Sequence, residues 1–166
     1  MNSSHLLKEY ADGAKILLDR MKEINEKMLS YRPKREDAWT IKEHVIHLID
    51  SEINGFVRLK SIIAQPGSTC YVMEEEAWTK NIRRKNEDVT KYLSVFKLIR
   101  EMVYDLLIDE VEENWRGDYF IRHYHGETLK VTIEKFLEIY INHLKFHLEY
   151  LDKNIEEYNE NTSLSS

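Results

Sequence analysis

Apolar residues recur along this chain at steps of three and four, the spacing that lays a single hydrophobic stripe along an α-helix. The first run, Leu7, Tyr10, Ala14, Leu17, Leu18, Met21, Ile24 and Met28, predicts a helix from about Ser4 to Ser30. Arg32-Pro33-Lys34-Arg35 ends it, because proline has no amide proton for the helical ladder and restricts the residue before it. Thr40 followed by Glu43 reads as a capping box. It opens a second helix carrying Ile41, Val45, Leu48, Ile49, Phe56, Leu59 and Ile63, which closes before Gln65-Pro66-Gly67. Asn86 is the predicted N-cap of a third helix, with Glu87 and Asp88 in the dipole-favoured first turn and Val89, Leu93, Phe96, Ile99, Val103, Leu106 and Leu107 on its stripe. A fourth, from about Thr132 to Glu157, has Ile133, Leu137, Tyr140, Leu144, Leu148, Leu151 and Ile155 as its seam. Residues 66–85 form a long connection in which Glu74 to Lys80 predict a short helix carrying Trp78. Residues 116–130 predict irregular chain or a short hairpin around Gly126, since Tyr119, Ile121 and His123 alternate.

Four long amphipathic helices predict an all-α four-helix bundle: one domain over residues 1–160, with a frayed polar tail at 161–166. The long middle connection permits a crossover, so up-down-up-down wiring is not forced. A length of 166 residues suits one domain, and two Pro and five Gly are too few for a sandwich or small barrel. The balance of 24 basic against 30 acidic residues, a net charge of −6, provides no basic field for nucleic acid. Arg83-Arg84-Lys85 and the run at 32–35 read as solvated linkers. Cys70 is the sole cysteine, which excludes an internal disulfide and any zinc site built on several thiolates. No stretch is apolar for long enough to span a bilayer, and the first ten residues lack a signal-peptide core, so a cytoplasmic protein is expected.

Candidate chemistry concentrates in the histidines. His143 and His147 stand four residues apart, which stacks their side chains on one helical face with β-carbons roughly 6 Å apart. Both project beside the Tyr140–Leu144–Leu151 seam, toward the bundle margin, where a neutral ligand is favoured. The second helix offers His44 and His47. His47 lies off the apolar stripe and shares a polar one with Asp50, Ser51, Asn54 and Arg58, which reads either as a solvated face or as the lining of a wet cleft. Glu52 projects into the apolar seam, and a buried carboxylate requires an Arg, a His or a metal-bound network as partner. His123 and His125 would share a face if their segment is extended. The Glu-x-x-His pairs of di-iron bundles, His-Glu-x-x-His, a glycine-rich phosphate loop and a Gly-x-Ser-x-Gly elbow are all absent from the sequence.

These residues together resemble the DinB/YfiT-like family of bacterial four-helix-bundle proteins. The first motif runs from Trp39-Thr40 to His47-Leu48-Ile49-Asp50-Ser51-Glu52, with His47 eight residues after the Trp, as in the family's His-Leu-x-Asp-x-Glu segment. The second runs from Gly126-Glu127-Thr128-Leu129 to His143-Leu144-Lys145-Phe146-His147, like the family's Gly-x-x-(Ser/Thr)-Leu…His-x-x-x-His ending. The resemblance implies up-down-down-up wiring and a metal site of three histidines, here His47, His143 and His147. It selects His47 over His44, and gives His44, His123 and His125 no role.

Three neutral imidazoles would leave a divalent ion, zinc or nickel, with its full charge and open positions, as in catalytic sites. Asp50 and Glu52 become candidates for orienting the ligands or moving a proton. Some relatives resemble transferases of low-molecular-weight thiols such as bacillithiol or mycothiol, and another activity in the family is a thiol-assisted isomerisation. The leading expectation is therefore a metal-dependent enzyme of thiol S-transferase type acting on a small molecule. A metal-dependent hydrolase, and a non-catalytic helical binding or dimerisation module, are the alternatives. Pairing into a homodimer through a helix face is expected of such bundles.

Overall fold

In a computed structural model the described residues are 3–71, 73–82, 87–109, 115, 118–122 and 128–163. The chain forms α1 (Ser3–Met21), α2 (Glu26–Ser30), α3 (Ile41–Ala64), β1 (Thr69–Tyr71), α4 (Glu75–Asn81), α5 (Val89–Ile108), β2 (Asp118–Arg122), β3 (Thr128–Thr132) and α6 (Ile133–Ser163). The four long helices α1, α3, α5 and α6 are those the apolar spacing predicts. Thr40 caps α3 as read: its side chain accepts from the Glu43 amide while the Glu43 carboxylate accepts from the Thr40 amide at 2.8 Å.

Two groups of core residues give the direction of each helix. One gathers Leu6 and Leu7 of α1, Leu59 and Ile62 of α3, Val103 and Leu107 of α5, and Ile133 and Phe136 of α6. The other gathers Ala14 and Leu17, Ile41 and Val45, Leu93 and Phe96, and Leu144 and Leu151. Along the first group lie the start of α1, the ends of α3 and α5, and the start of α6; the second reverses every one. The helices therefore run up, down, down, up. Residues 65–88 must return the length of the bundle between the two parallel helices α3 and α5. Gly67, at φ 82°, turns the chain out of α3 in a conformation that a β-carbon would strain.

Several details depart from the sequence reading. The first predicted helix breaks after Met21, because the Asn25 side chain accepts from the amides of Lys27 and Met28 and starts a separate turn, α2. Asp88 caps α5 through the Thr90 amide, so the start falls two residues later than predicted; Asn86 lies outside the described residues. The last helix continues through Ser163, tied by Asn161, whose side chain donates to the Tyr31 hydroxyl at 3.0 Å. The predicted hairpin forms as β2 and β3, antiparallel, with Phe120 opposite Lys130. β1 adds in parallel to β2 and completes a three-stranded sheet, order β1-β2-β3. Three residues of β1 are too short for any alternation to announce them. No described helix is long and apolar enough to cross a membrane.

At the junction of the two core groups sits a polar node. Arg100 of α5 is 1% exposed and Glu52 of α3 is 2% exposed. The Arg100 Nε and Nη2 donate to Glu52 Oε1 at 2.9 and 2.6 Å, and the Tyr10 hydroxyl donates to Oε2 at 2.6 Å. The remaining guanidinium donors reach the carbonyls of Tyr10, at 2.6 Å, and Tyr140, at 3.2 Å. Gly13 makes the approach feasible, since a β-carbon there would collide with Arg100 Nη1 and the Leu144 side chain. Removing one partner strands a charge in the core, so Glu52→Ala and Arg100→Met should each lower unfolding stability in denaturant by about 3–5 kcal/mol. The paired replacement Glu52→Leu/Arg100→Met should cost less than the sum of the two. A loss below about 1 kcal/mol in each single variant would mean that the pair behaves as a solvated one.

Candidate metal centre

The capping box sets where α3 begins and therefore where His44 and His47 point, one turn and two turns in. Facing them across an antiparallel contact are His143 and His147 on successive turns of α6. His47 Nε2 lies 3.0 Å from His143 Nε2, and His147 Nε2 lies 3.0 Å from the same atom. The three ligand atoms all fall within 4.8 Å of one another, and no fourth His, Cys or carboxylate atom among the described residues joins the set.

Protons alone do not account for this arrangement. Each neutral imidazole has one N–H and one lone pair, so His143 Nε2 can satisfy one of its two facing nitrogens well, not both. A cation that accepts all three lone pairs removes the conflict. Tetrahedral zinc–imidazole bonds of about 2.0–2.1 Å place ligand nitrogens about 3.3 Å apart, near the 3.0 Å separations found, so the donor set fits a divalent ion in both chemistry and spacing. Burial also holds the rings in the ligand form. It pushes the pKa of His143 down to about 4 and that of His44 down to about 4, and it lowers His147 further still, helped by the neighbouring rings of His143, His47 and His44.

Around the rings the wall is aromatic. Trp39 sits 5.1 Å from His47 and 6.2 Å from His147 between ring centroids, nearly parallel to the latter. The Trp39 carbonyl accepts from the buried Asn154 side chain at 2.9 Å, and Arg35 in the same loop donates to both Asn154 and Glu157. The segment before α3 is thus clamped onto α6 on the side where the histidines converge. A cavity of about 510 Å³ opens there, lined among others by Trp39, His44, Glu75, His143, His147 and Tyr150, a size that suits a small molecule. The Glu75 carboxylate, at the start of α4, comes to 3.8 Å from His47 Nε2. Its pKa is raised by burial and held back by the Arg58 charge.

The structure thus brings His47, His143 and His147 together, as the family resemblance implies. The polar stripe of α3 is half-buried rather than freely solvated: Asn54 donates to Met73 Sδ at 3.3 Å, and Arg58 to the Tyr140 hydroxyl at 3.4 Å. Glu52 has the arginine partner its buried position required, and both of its oxygens are engaged by Arg100 and Tyr10. Asp50 is half-buried on the stripe of His47, with its carbonyl accepting from Asn54 at 2.7 Å. His123 and His125 lie outside the described residues. Two neighbours have no role in the sequence reading. His44 was visible as a second histidine three residues before His47, but with no partner to assign. Glu75 left no signal, since its place depends on how residues 65–88 fold back.

The chain is an up-down-down-up helical bundle with three convergent histidines beside a small cavity. The chain belongs to the DinB superfamily, whose family model matches residues 9–151. Among curated relatives it is 24% identical over 120 residues to the "Putative metal-dependent hydrolase YfiT" of Bacillus subtilis, a match covering 72% of this chain and 65% of that protein. It is 24% identical over 148 residues, 87% of this chain and 80% of the relative, to the "Putative metal-dependent hydrolase BCB4264_A2719" of Bacillus cereus. Among solved structures, Bacillus subtilis YfiT, described as having an unusual four-helix bundle topology, superposes with a TM-score of 0.82 at 19% identity, covering 94% of this chain and 87% of that one. A DinB-like protein from Bacillus subtilis, YjoA, does so at 0.60 and 15% identity, covering 93% and 92%.

A pH dependence follows from the buried rings. The folded pKa of His143 and of His44 lies below the unfolded value of 6.5, so between pH 6.5 and about 4 the unfolded chain binds more protons. Stability is then full above pH 6.5 and falls as pH drops through that window. Urea midpoints of the metal-free protein, measured from pH 8 to 4, should decline below 6.5, and His143→Gln should flatten the decline.

Proposed function

We propose that this protein is a metal-dependent enzyme in which His47, His143 and His147 hold one divalent ion, zinc or nickel, and that its reaction is hydrolysis of a small molecule. The observation that carries the reading is the convergence of three ring nitrogens at the edge of a cavity. The names of the relatives, metal-dependent hydrolases, point the same way. When bound, such an ion supplies a Lewis acid that polarises a substrate oxygen and makes water a nucleophile near neutral pH.

The rest of the work falls to the chain. Glu75, 3.8 Å from His47 Nε2, is placed to take the proton that attacking water gives up, and partial desolvation raises its pKa against the opposing charge of Arg58. Asp50 and Glu52 act at one remove. Glu52, locked to Arg100, holds α3 in register below His47, while Asp50 is the half-buried carboxylate on the His47 stripe. Trp39 and Tyr150 give the cavity aromatic walls. Transfer of a low-molecular-weight thiol to an electrophile would draw on the same ion, with thiolate in place of water.

Elemental analysis of the purified wild type should give about one zinc or nickel per chain, and the His143→Ala/His147→Ala variant should lose it. Equal metal in both would favour a helical scaffold without a centre. The loaded protein should then hydrolyse a member of a panel of esters, amides and phosphoesters. Glu75→Gln should lower kcat by about 10²–10⁴-fold while leaving metal content intact. Turnover that appears only with added thiol would instead assign S-transfer.

A further inference from the structure

His147 has two ring nitrogens, and the structure gives each a different neighbour. Nε2 faces the other two histidines, 3.0 Å from His143 Nε2, while Nδ1 lies 2.8 Å from Nδ1 of His44. Nitrogens this close share a proton, and a neutral imidazole has one to give. If Nε2 offers its lone pair to a cation, the His147 proton must sit on Nδ1 and be donated to His44. His44 then accepts at Nδ1 and carries its own proton on Nε2. One tautomer of each ring satisfies the whole set.

His44 is built to hold that position. It is buried on α3, one turn past the Thr40–Glu43 cap. Its ring packs between Trp39, at 5.4 Å, and Tyr150, at 5.5 Å and an interplanar angle of 29°. Its Nδ1 is occupied by His147, and it falls outside the group of three mutually close ligand atoms. A fourth imidazole on the ion would close the site; one beneath a ligand leaves it open. Histidine ligands ordinarily donate their distal N–H to a carboxylate, a carbonyl or water, and these partners fix the ring and strengthen it as a ligand.

We propose that His44 is the positioning residue of the metal centre: it accepts the Nδ1–H of His147, fixing that ring's tautomer and orientation so that Nε2 faces the ion. The inference rests on the three-histidine reading above. It also predicts what substitutes for His44. Asparagine at the same helical position can present its side-chain oxygen near where Nδ1 stood, whereas phenylalanine keeps the aromatic packing and offers no acceptor.

The test is zinc affinity of the full chain by competition with a chromophoric chelator, for wild type, His44→Phe and His44→Asn, with helical circular dichroism to verify folding. His44→Phe should bind about 10–100-fold more weakly, and His44→Asn should recover most of that loss. X-ray absorption of the zinc-loaded proteins should count three imidazoles in the wild type and in both variants. Unchanged affinity in His44→Phe, equal losses in both variants, or a wild-type count of four that falls to three would each overturn the proposal. Should His44→Phe fail to fold, His44→Leu serves as the acceptor-free variant. Failure of the parent reading looks different: the wild type itself would then bind no zinc, whatever residue stands at 44.

Discussion

A single guanidinium touches every long helix of this bundle. Arg100 belongs to α5, bonds Glu52 of α3 through two of its nitrogens, and donates to main-chain carbonyls of α1 and α6. Its Cζ lies over the rings of Tyr10, 4.3 Å from the centroid, and Phe96, 4.6 Å away. Burying such a pair gains little net stability over an apolar core of the same shape, since desolvation offsets most of the attraction. What the pair supplies is discrimination. A slide of any helix by one turn would leave a full charge without partners, and that penalty is far larger than the cost of re-packing aliphatic side chains.

The histidine cluster inherits its alignment from that node. His47 precedes Glu52 on α3, and His143 follows Tyr140 on α6, so the register that satisfies Arg100 also sets the histidines opposite one another. A second constraint acts from outside. Glu157 accepts from the Lys34 amide at 2.7 Å and from Arg35 at 2.8 Å, pinning the segment before α3 to the last helix and holding Trp39 against the rings. The site is thus gripped from the core by an ion pair and from the surface by a loop clamp. Among the described residues, the side toward α4 opens onto the cavity.

Inside the site, proton bookkeeping does much of the assignment. Four imidazoles, three of them buried and His143 half-buried, lie in a chain of contacts from His44 through His147 and His143 to His47, at 2.8, 3.0 and 3.0 Å. Burial disfavours a positive charge on the rings whose pKa is lowered, so they remain neutral at physiological pH, and neutral rings are ligands. The low polarity that depresses those values would also strengthen the action of a bound ion on its substrate.

Much of this was readable from residue order. Apolar spacing determined four helices, the Thr40–Glu43 pair determined where α3 starts, and Glu52 on an apolar stripe determined that a buried partner had to exist. The i, i+4 spacing of His143 and His147 put two imidazoles on one face. These are local properties, fixed by helical geometry within a few turns. Which residue answers Glu52, whether the stripe of His47 meets water or α4, and what His44 touches depend on contacts between residues distant in sequence. Arg100 lies 48 positions from Glu52, and His147 lies 103 from His44. β1 and Glu75 belong to the same class: three residues become a strand because β2 offers an edge, and a carboxylate becomes a neighbour of His47 because a long connection folds back across the bundle. Periodicity says which face of a helix is buried, but not against what, and that second fact makes the chemistry.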